Sequence, residues 1–134
     1  MSIWQSDLSK RRKTGGKGRS YRKKRAFEAG RPPTETKVGE VVAKVVRTRG
    51  GGSKTRLLTT GFANVHNPET KETKKVEILK VLKNPSNIDY DKRGVATRRA
   101  LIETPLGKAK VMSRPGQDGV VNAILVERRI EAKK

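Results

Sequence analysis

The stretch EVVAKVVRTRGGGSKTRLLTT, Glu40–Thr60, decides the reading of the fold. Val41, Val42, Val45 and Val46 crowd its first half and run out at Gly50, Gly51 and Gly52, after which Lys54–Thr60 resumes a strand-like pattern. β-Branched residues suit the pleated, half-buried surface of a strand, and turn formers between two such segments read as a hairpin. Side chains two apart share a face, so Arg47 and Arg49, like Lys54 and Arg56, project together from their strands. One face of the hairpin is expected to carry all four cations.

The same punctuation continues down the chain. Strands are expected at Phe62–Val65, Lys74–Leu82, Arg99–Thr104, Lys108–Met112 and Val120–Glu127. Between them lie Asn67-Pro68, Asn84-Pro85-Ser86-Asn87, Pro105-Leu106-Gly107 and the run Arg114-Pro115-Gly116-Gln117-Asp118-Gly119, all rich in turn formers. A chain with this many short strands must hide its edges, and closure removes them. The fold class is therefore mainly β, with a small closed β-barrel as the expected body and a sandwich as the competing architecture. Its core is expected to draw on Val41, Val45, Leu57, Val76, Ile78, Leu101 or Ile102, Val111, Ile124 and Val126. The alternation slips between Ile78 and Leu79, where a bulge is expected. The charged end, Glu127–Lys134, reads as a short helix or a frayed terminus.

The segment before the strands has a different composition. Met1–Arg31 holds eleven Lys and Arg against Asp7 and Glu28, a net of +9, whereas residues 32–134 spread +11 over more than three times the length. Residues 1–31 are accordingly read as a basic, extended N-terminal arm and 32–134 as the β domain. Ile3, Trp4, Leu8, Ala26 and Phe27 are too few to offset backbone ordering entropy of about 1–2 kcal/mol per residue, so the arm is expected to order only on a polyanion. Gly15, Gly16 and Gly18 permit close approach to phosphates, and Arg19–Ala29 is a candidate helix ending at Gly30 and Pro32-Pro33.

Whole-chain composition sets the class of partner. The 134 residues carry 33 Lys and Arg and 13 Asp and Glu, a formal net charge of +20 that calls for an anionic partner. No apolar run approaches the roughly 18–20 residues of a membrane span, and Met1–Asp7 lacks a signal-peptide core, so a soluble intracellular protein without a membrane partner is expected. The absence of Cys removes disulfides and thiolate chemistry. His66 stands in an Asn67-Pro68 context without a second His or Cys to complete a zinc site, so no metal is assigned. Gly15-Gly16-Lys17-Gly18 follows no strand and completes neither nucleotide-loop spacing, while Asp89 and Asp91 flank Tyr90 beside a Lys92-Arg93-Gly94 turn and read as solvated charges. No catalytic residue, cofactor or small-molecule substrate is assigned.

The five aromatics, Trp4, Tyr21, Phe27, Phe62 and Tyr90, do not group on one strand as a base-stacking platform. Cations and glycines suit instead the phosphate backbone of a folded nucleic acid, where affinity is mainly electrostatic. The residues expected to contact it are Lys10, Arg11, Arg12, Lys13, Gly15, Gly16, Lys17, Arg19, Arg22, Lys23, Lys24, Arg25 and Arg31, with Arg47, Arg49, Lys54 and Arg56 of the hairpin as a second surface. Composition alone does not separate RNA from DNA.

A resemblance narrows the class. Lys10-Arg11-Arg12-Lys13-Thr14-Gly15-Gly16-Lys17, Tyr21-Arg22-Lys23-Lys24-Arg25 and Glu28-Ala29-Gly30-Arg31-Pro32 resemble the N-terminal signature of the "eight-e" protein family of the archaeal and eukaryotic small ribosomal subunit. The likeness continues through Arg47-Thr48-Arg49-Gly50-Gly51, Asn84-Pro85-Ser86-Asn87, Glu103–Ala109 and Ser113–Gly119, and the compact stretch 94–134 looks like the archaeal form. Ala29 stands where the family pattern has a larger aliphatic residue. The resemblance implies a β-barrel body, a basic extension threaded into small-subunit ribosomal RNA, neighbouring small-subunit ribosomal proteins, a cytoplasmic ribosome and no catalysis. A ribosome-biogenesis factor and a DNA-compacting chromosomal protein are the alternative readings.

Overall fold

The computed structural model describes residues 3–6 and 10–128. The expectation of a helix or frayed end beyond Arg128 lies outside the described residues. The chain divides into two compact units, Met1–Pro33 and Thr34–Lys134.

In the first unit, β1 (Ile3–Trp4) pairs antiparallel with β2 (Ala29–Gly30), Ile3 opposite Gly30 and Trp4 opposite Ala29. The candidate helix Arg19–Ala29 holds a single 3-10 turn, Ala26–Glu28, and Gly30 serves as a strand residue.

The second unit begins with a three-stranded sheet in the order β3-β5-β4, built from β3 (Lys37–Val38), β4 (Val42–Arg47) and β5 (Ser53–Thr60). β4 and β5 form the expected hairpin, closed where the Thr48 N–H donates to Gly52 O at 2.7 Å. A six-stranded sheet follows, from β6 (Phe62–His66), β7 (Thr73–Glu77), β8 (Lys80–Lys83), β9 (Leu101–Thr104), β10 (Gly107–Val111) and β11 (Asn122–Arg128). Two short helices interrupt it, α1 (Ile88–Lys92) and α2 (Pro115–Asp118). Asn87 caps α1 by accepting from Asp89 N, and α2 has Pro115 in its first turn and Gly119 at its end.

The six strands run in the order β7-β6-β11-β10-β9-β8, so the sheet is open and the expected closed barrel is corrected. The stretch expected as one strand, Lys74–Leu82, is two. At the slip foreseen between Ile78 and Leu79 the chain leaves one edge for the other: the Ile78 N–H donates to Gly61 O and the Leu79 N–H to Glu103 O. The two edge strands are thus consecutive in sequence and lie end to end rather than side by side. The sheet curls into a half-barrel, and among the described residues no ladder joins its two edges.

Small and large side chains alternate across the buried face. Ala123 is flanked by Val65 on β6 and Val111 on β10, while Ala109 is flanked by Leu125 on β11 and Ile102 on β9. Alanines let a tightly curled sheet close over its own concave side, and their larger partners fill the space. Leu57, Ala63, Ile78, Ala100 and Val121 complete this core, with Val76 and Val81 packed at its margin. Four expected core residues are instead exposed: Val41, Val45 at 69%, Ile124 and Val126. On β11 the pairing of Ala123 with Val111 fixes the register, turning Val121, Ala123 and Leu125 inward and the alternate set outward. On β4 it is Val46 that is buried.

Candidate nucleic-acid interface

Residues 10–17 fold back on themselves through local geometry. Arg11 bridges Lys17, the Arg12 N–H donates to Gly16 O at 2.9 Å, and the Gly15 N–H donates to Arg12 O at 2.9 Å. Gly15 makes the turn at φ 82°, the left-handed residue that a three-residue hairpin loop needs. The Arg11 guanidinium donates to Gly15 O at 3.0 Å. Arg11, Arg12, Lys13 and Lys17 are therefore presented together around one small, exposed loop, with Lys10 beside it.

Farther along, one carboxylate organises the surrounding cations. Glu28 is buried, 6% exposed, and ion-pairs with the Arg22 guanidinium, while its second oxygen accepts from the Arg25 N–H at 3.0 Å. These hydrogen bonds hold the Glu28 carboxyl below its ordinary pKa, the Arg22 guanidinium being the larger cause, and the same contact raises the pKa of Arg22. Arg22 also lies 5.4 Å from the Tyr21 ring centroid and 5.9 Å from that of Phe27, and the Lys24 ammonium lies 5.3 Å from the Trp4 ring. Arg22 thus acts inside the unit as a clamp. Arg19, Lys23, Lys24, Arg25 and Arg31 remain exposed.

In the second unit the four hairpin cations do not share a face. Arg47 lies opposite Ser53, and Lys54 lies opposite the buried Val46, so Arg47 and Lys54 project to opposite sides of the ladder. Lys54 and Arg56 share a face of β5 as period two requires, but Arg49 lies in the turn beyond the end of β4, and only the cross-strand register decides how Arg47 stands relative to the β5 pair. Lys54 donates to Gln117 Oε1 of α2 at 2.8 Å, Arg56 is half-buried on the same face as Lys54, and Arg47 and Arg49 are exposed.

The residues set aside as non-catalytic have structural partners. His66 ends β6 rather than standing in a loop, with Nδ1 3.1 Å from Thr73 Oγ1. Asp89 and Asp91 lie in α1, and Asp91 accepts from the Asn84 N–H. Among the described residues no group of three or more His, Cys, Asp or Glu side chains is placed to hold a metal ion.

Two features escaped the sequence reading. Glu28 was counted only as a charge, although an acid three residues after Arg25 has the spacing at which a side chain reaches back to a cap N–H, as it does here. The aromatics Trp4, Tyr21 and Phe27 form no base-stacking platform on one strand, yet each has a cation of the same unit over its ring.

Comparison with known proteins places this geometry in context. The family described as ribosomal protein S8e matches residues 5–126. The chain is 47% identical over 127 residues to the small ribosomal subunit protein eS8 of Sulfolobus acidocaldarius, covering 94% of this chain and 98% of that protein. It is 50% identical over 127 residues to the protein of the same name from Methanococcus vannielii, with the same two coverages. The eS8 protein of Methanosarcina barkeri is 49% identical over 124 residues, 92% of this chain and 98% of that one.

Proposed function

The chain belongs to the ribosomal protein S8e family, and from that premise we propose that it is a structural constituent of the small ribosomal subunit, binding ribosomal RNA through phosphates and holding RNA helices together. The family is one of structural components, so the protein is not an enzyme. In this reading it works in cytoplasmic ribosomes beside neighbouring small-subunit proteins. Among the described residues no helix is long and apolar enough to cross a membrane.

The observation that carries the RNA contact is the concentration of exposed cations in 10–31, presented on a glycine-turned loop and on a segment clamped by Glu28. Such a surface binds by displacing counterions condensed on the nucleic acid, and its guanidinium forks suit phosphate oxygens. Gly15 and Gly16, lacking side chains, let the backbone itself approach the phosphates. Arg47 and Arg49 supply a second contact on the hairpin, while Lys54 and Arg56 serve the opposite face.

The test is a salt titration of binding to small-subunit ribosomal RNA, with duplex DNA of equal length as competitor. For about 6–10 phosphate contacts, affinity falls by roughly 10³–10⁵ between 50 and 200 mM salt. Folded ribosomal RNA outcompetes the duplex. Equal competition assigns the charges to a DNA-compacting role, and an affinity flat in salt removes the phosphate account altogether.

A further inference from the structure

The turn between α1 and β9 carries two adjacent arginines, Arg98 and Arg99, that belong to neither surface described above. Both side chains are exposed, and among the described residues neither guanidinium makes an ion pair, hydrogen bond or ring contact. Their surroundings are the opposite. Val95, Ala96 and Ala100, on either side of the turn, are at most 2% exposed.

The turn is staked at several points. The Ala100 N–H donates to Thr97 O at 3.1 Å and closes it, and the Arg99 N–H donates to Val111 O at 2.7 Å and ties it to β10. The Thr97 hydroxyl donates to Asn84 Oδ1 at 2.8 Å. Asn84 is itself buried; its Oδ1 also accepts from the Ser86 N–H at 3.0 Å, and its Nδ2 donates to Val95 O at 2.8 Å. One buried amide therefore locks the approach to the turn. Within it Arg99 stands at φ 70°, a left-handed backbone in which Gly or Asn would sit with less strain.

We propose that Arg98 and Arg99 form a preorganised phosphate-binding turn on the β body, a contact with folded ribosomal RNA in addition to that of residues 10–31. The proposal rests on the RNA-binding reading and adds a site to it. The backbone of the turn is already fixed and loses little freedom on binding, so only the side-chain rotamers remain to be ordered, and each planar fork is shaped for bidentate contact with phosphate oxygens. A left-handed arginine on a rigid loop, where glycine fits the backbone better, is the pattern of a side chain kept for what it touches.

The experiment uses the full chain and small-subunit ribosomal RNA, comparing the unsubstituted protein with Arg98→Ala, Arg99→Gly and the double variant. Removing two phosphate contacts lowers the slope of log affinity against log salt by about 1.4–1.8. Arg99→Gly melts no lower than the unsubstituted protein, because it relieves the backbone, and still binds RNA several-fold more weakly. Replacing both arginines by lysine keeps most of the slope and loses affinity. Unsubstituted protein that binds with the expected salt dependence, alongside a folded double variant whose isotherms superimpose on it, overturns this site alone. Unsubstituted protein that binds without salt dependence overturns the functional reading and this site with it. A double variant that keeps full RNA affinity but no longer binds polyglutamate assigns the turn to an acidic protein partner and overturns the proposal.

Discussion

Gly119, at the end of α2, lies close against Thr55 of β5, and a single methyl group there tests the packing. Its φ of 74° lies in the left-handed region, and a Cβ at this position would lie 2.8 Å from Thr55 Cβ, 2.9 Å from its Cγ2 and 3.3 Å from its carbonyl oxygen. Gly119→Ala incurs about 1–2 kcal/mol for the left-handed backbone. Forcing apart β5 and the end of α2 adds roughly 1–3 kcal/mol of overpacking. The total is about 2–5 kcal/mol, against a stability of about 5–15 kcal/mol for a domain of this size. Gly50→Ala is the control: its φ is 86°, but no atom lies within 4 Å of the added Cβ, so only the backbone cost applies. Urea unfolding of both variants isolates the steric part. Gly119→Ala is expected to lower the midpoint well below that of Gly50→Ala with an unchanged slope; equal midpoints would refute the close approach of α2 to β5.

Other consequences are as direct. Ile102 is fully buried between Ala109 and Val81, and Ile102→Ala is expected to cost about 2–5 kcal/mol in denaturant unfolding, well above the cost of Ile124→Ala on the outer face. The Glu28 carboxyl has a folded pKa held below its ordinary value, so its stabilising contribution to residues 22–28 is present above the unfolded carboxylate pKa of about 4.3 and lost as pH falls through the lower folded value. The protection factor of the Arg25 amide, which divides out the intrinsic pH dependence of exchange, is expected to fall with that loss, and Glu28→Gln is expected to abolish this fall. Deleting Met1–Pro33 is expected to leave a cooperatively unfolding β body with RNA affinity sharply reduced; loss of cooperative unfolding would place the boundary elsewhere.

The positions of the strands were legible in the sequence because alternation and turn chemistry are local. Ser53–Thr60, Phe62–His66 and Gly107–Val111 fall within a residue of their expected bounds. The inward face of β11 was not legible, because Val120, Ile124 and Val126 alternate as well as Val121, Ala123 and Leu125 do. The choice is made by Val65 and Val111, which lie 58 and 12 residues away from Ala123 in the chain and leave room only for its small side chain. The openness of the sheet escaped for a related reason: a two-residue bend at Ile78-Leu79 is visible as a slip, but the partners on either side of it, Gly61 and Glu103, are remote. In residues 1–31, charge density was evident from composition. The role of Glu28 as the acid around which Arg22 and Arg25 are arranged required the three-dimensional pairing.

Residues 10–31 carry the proposed RNA contact, and their position in the assembled particle decides it. Crosslinking in intact cells, followed by mapping of both the peptide and the nucleotide in each adduct, reads this out. Adducts joining this stretch to small-subunit ribosomal RNA are expected. Adducts confined to the β body, or an arm joined chiefly to DNA or to other RNA, would contradict it.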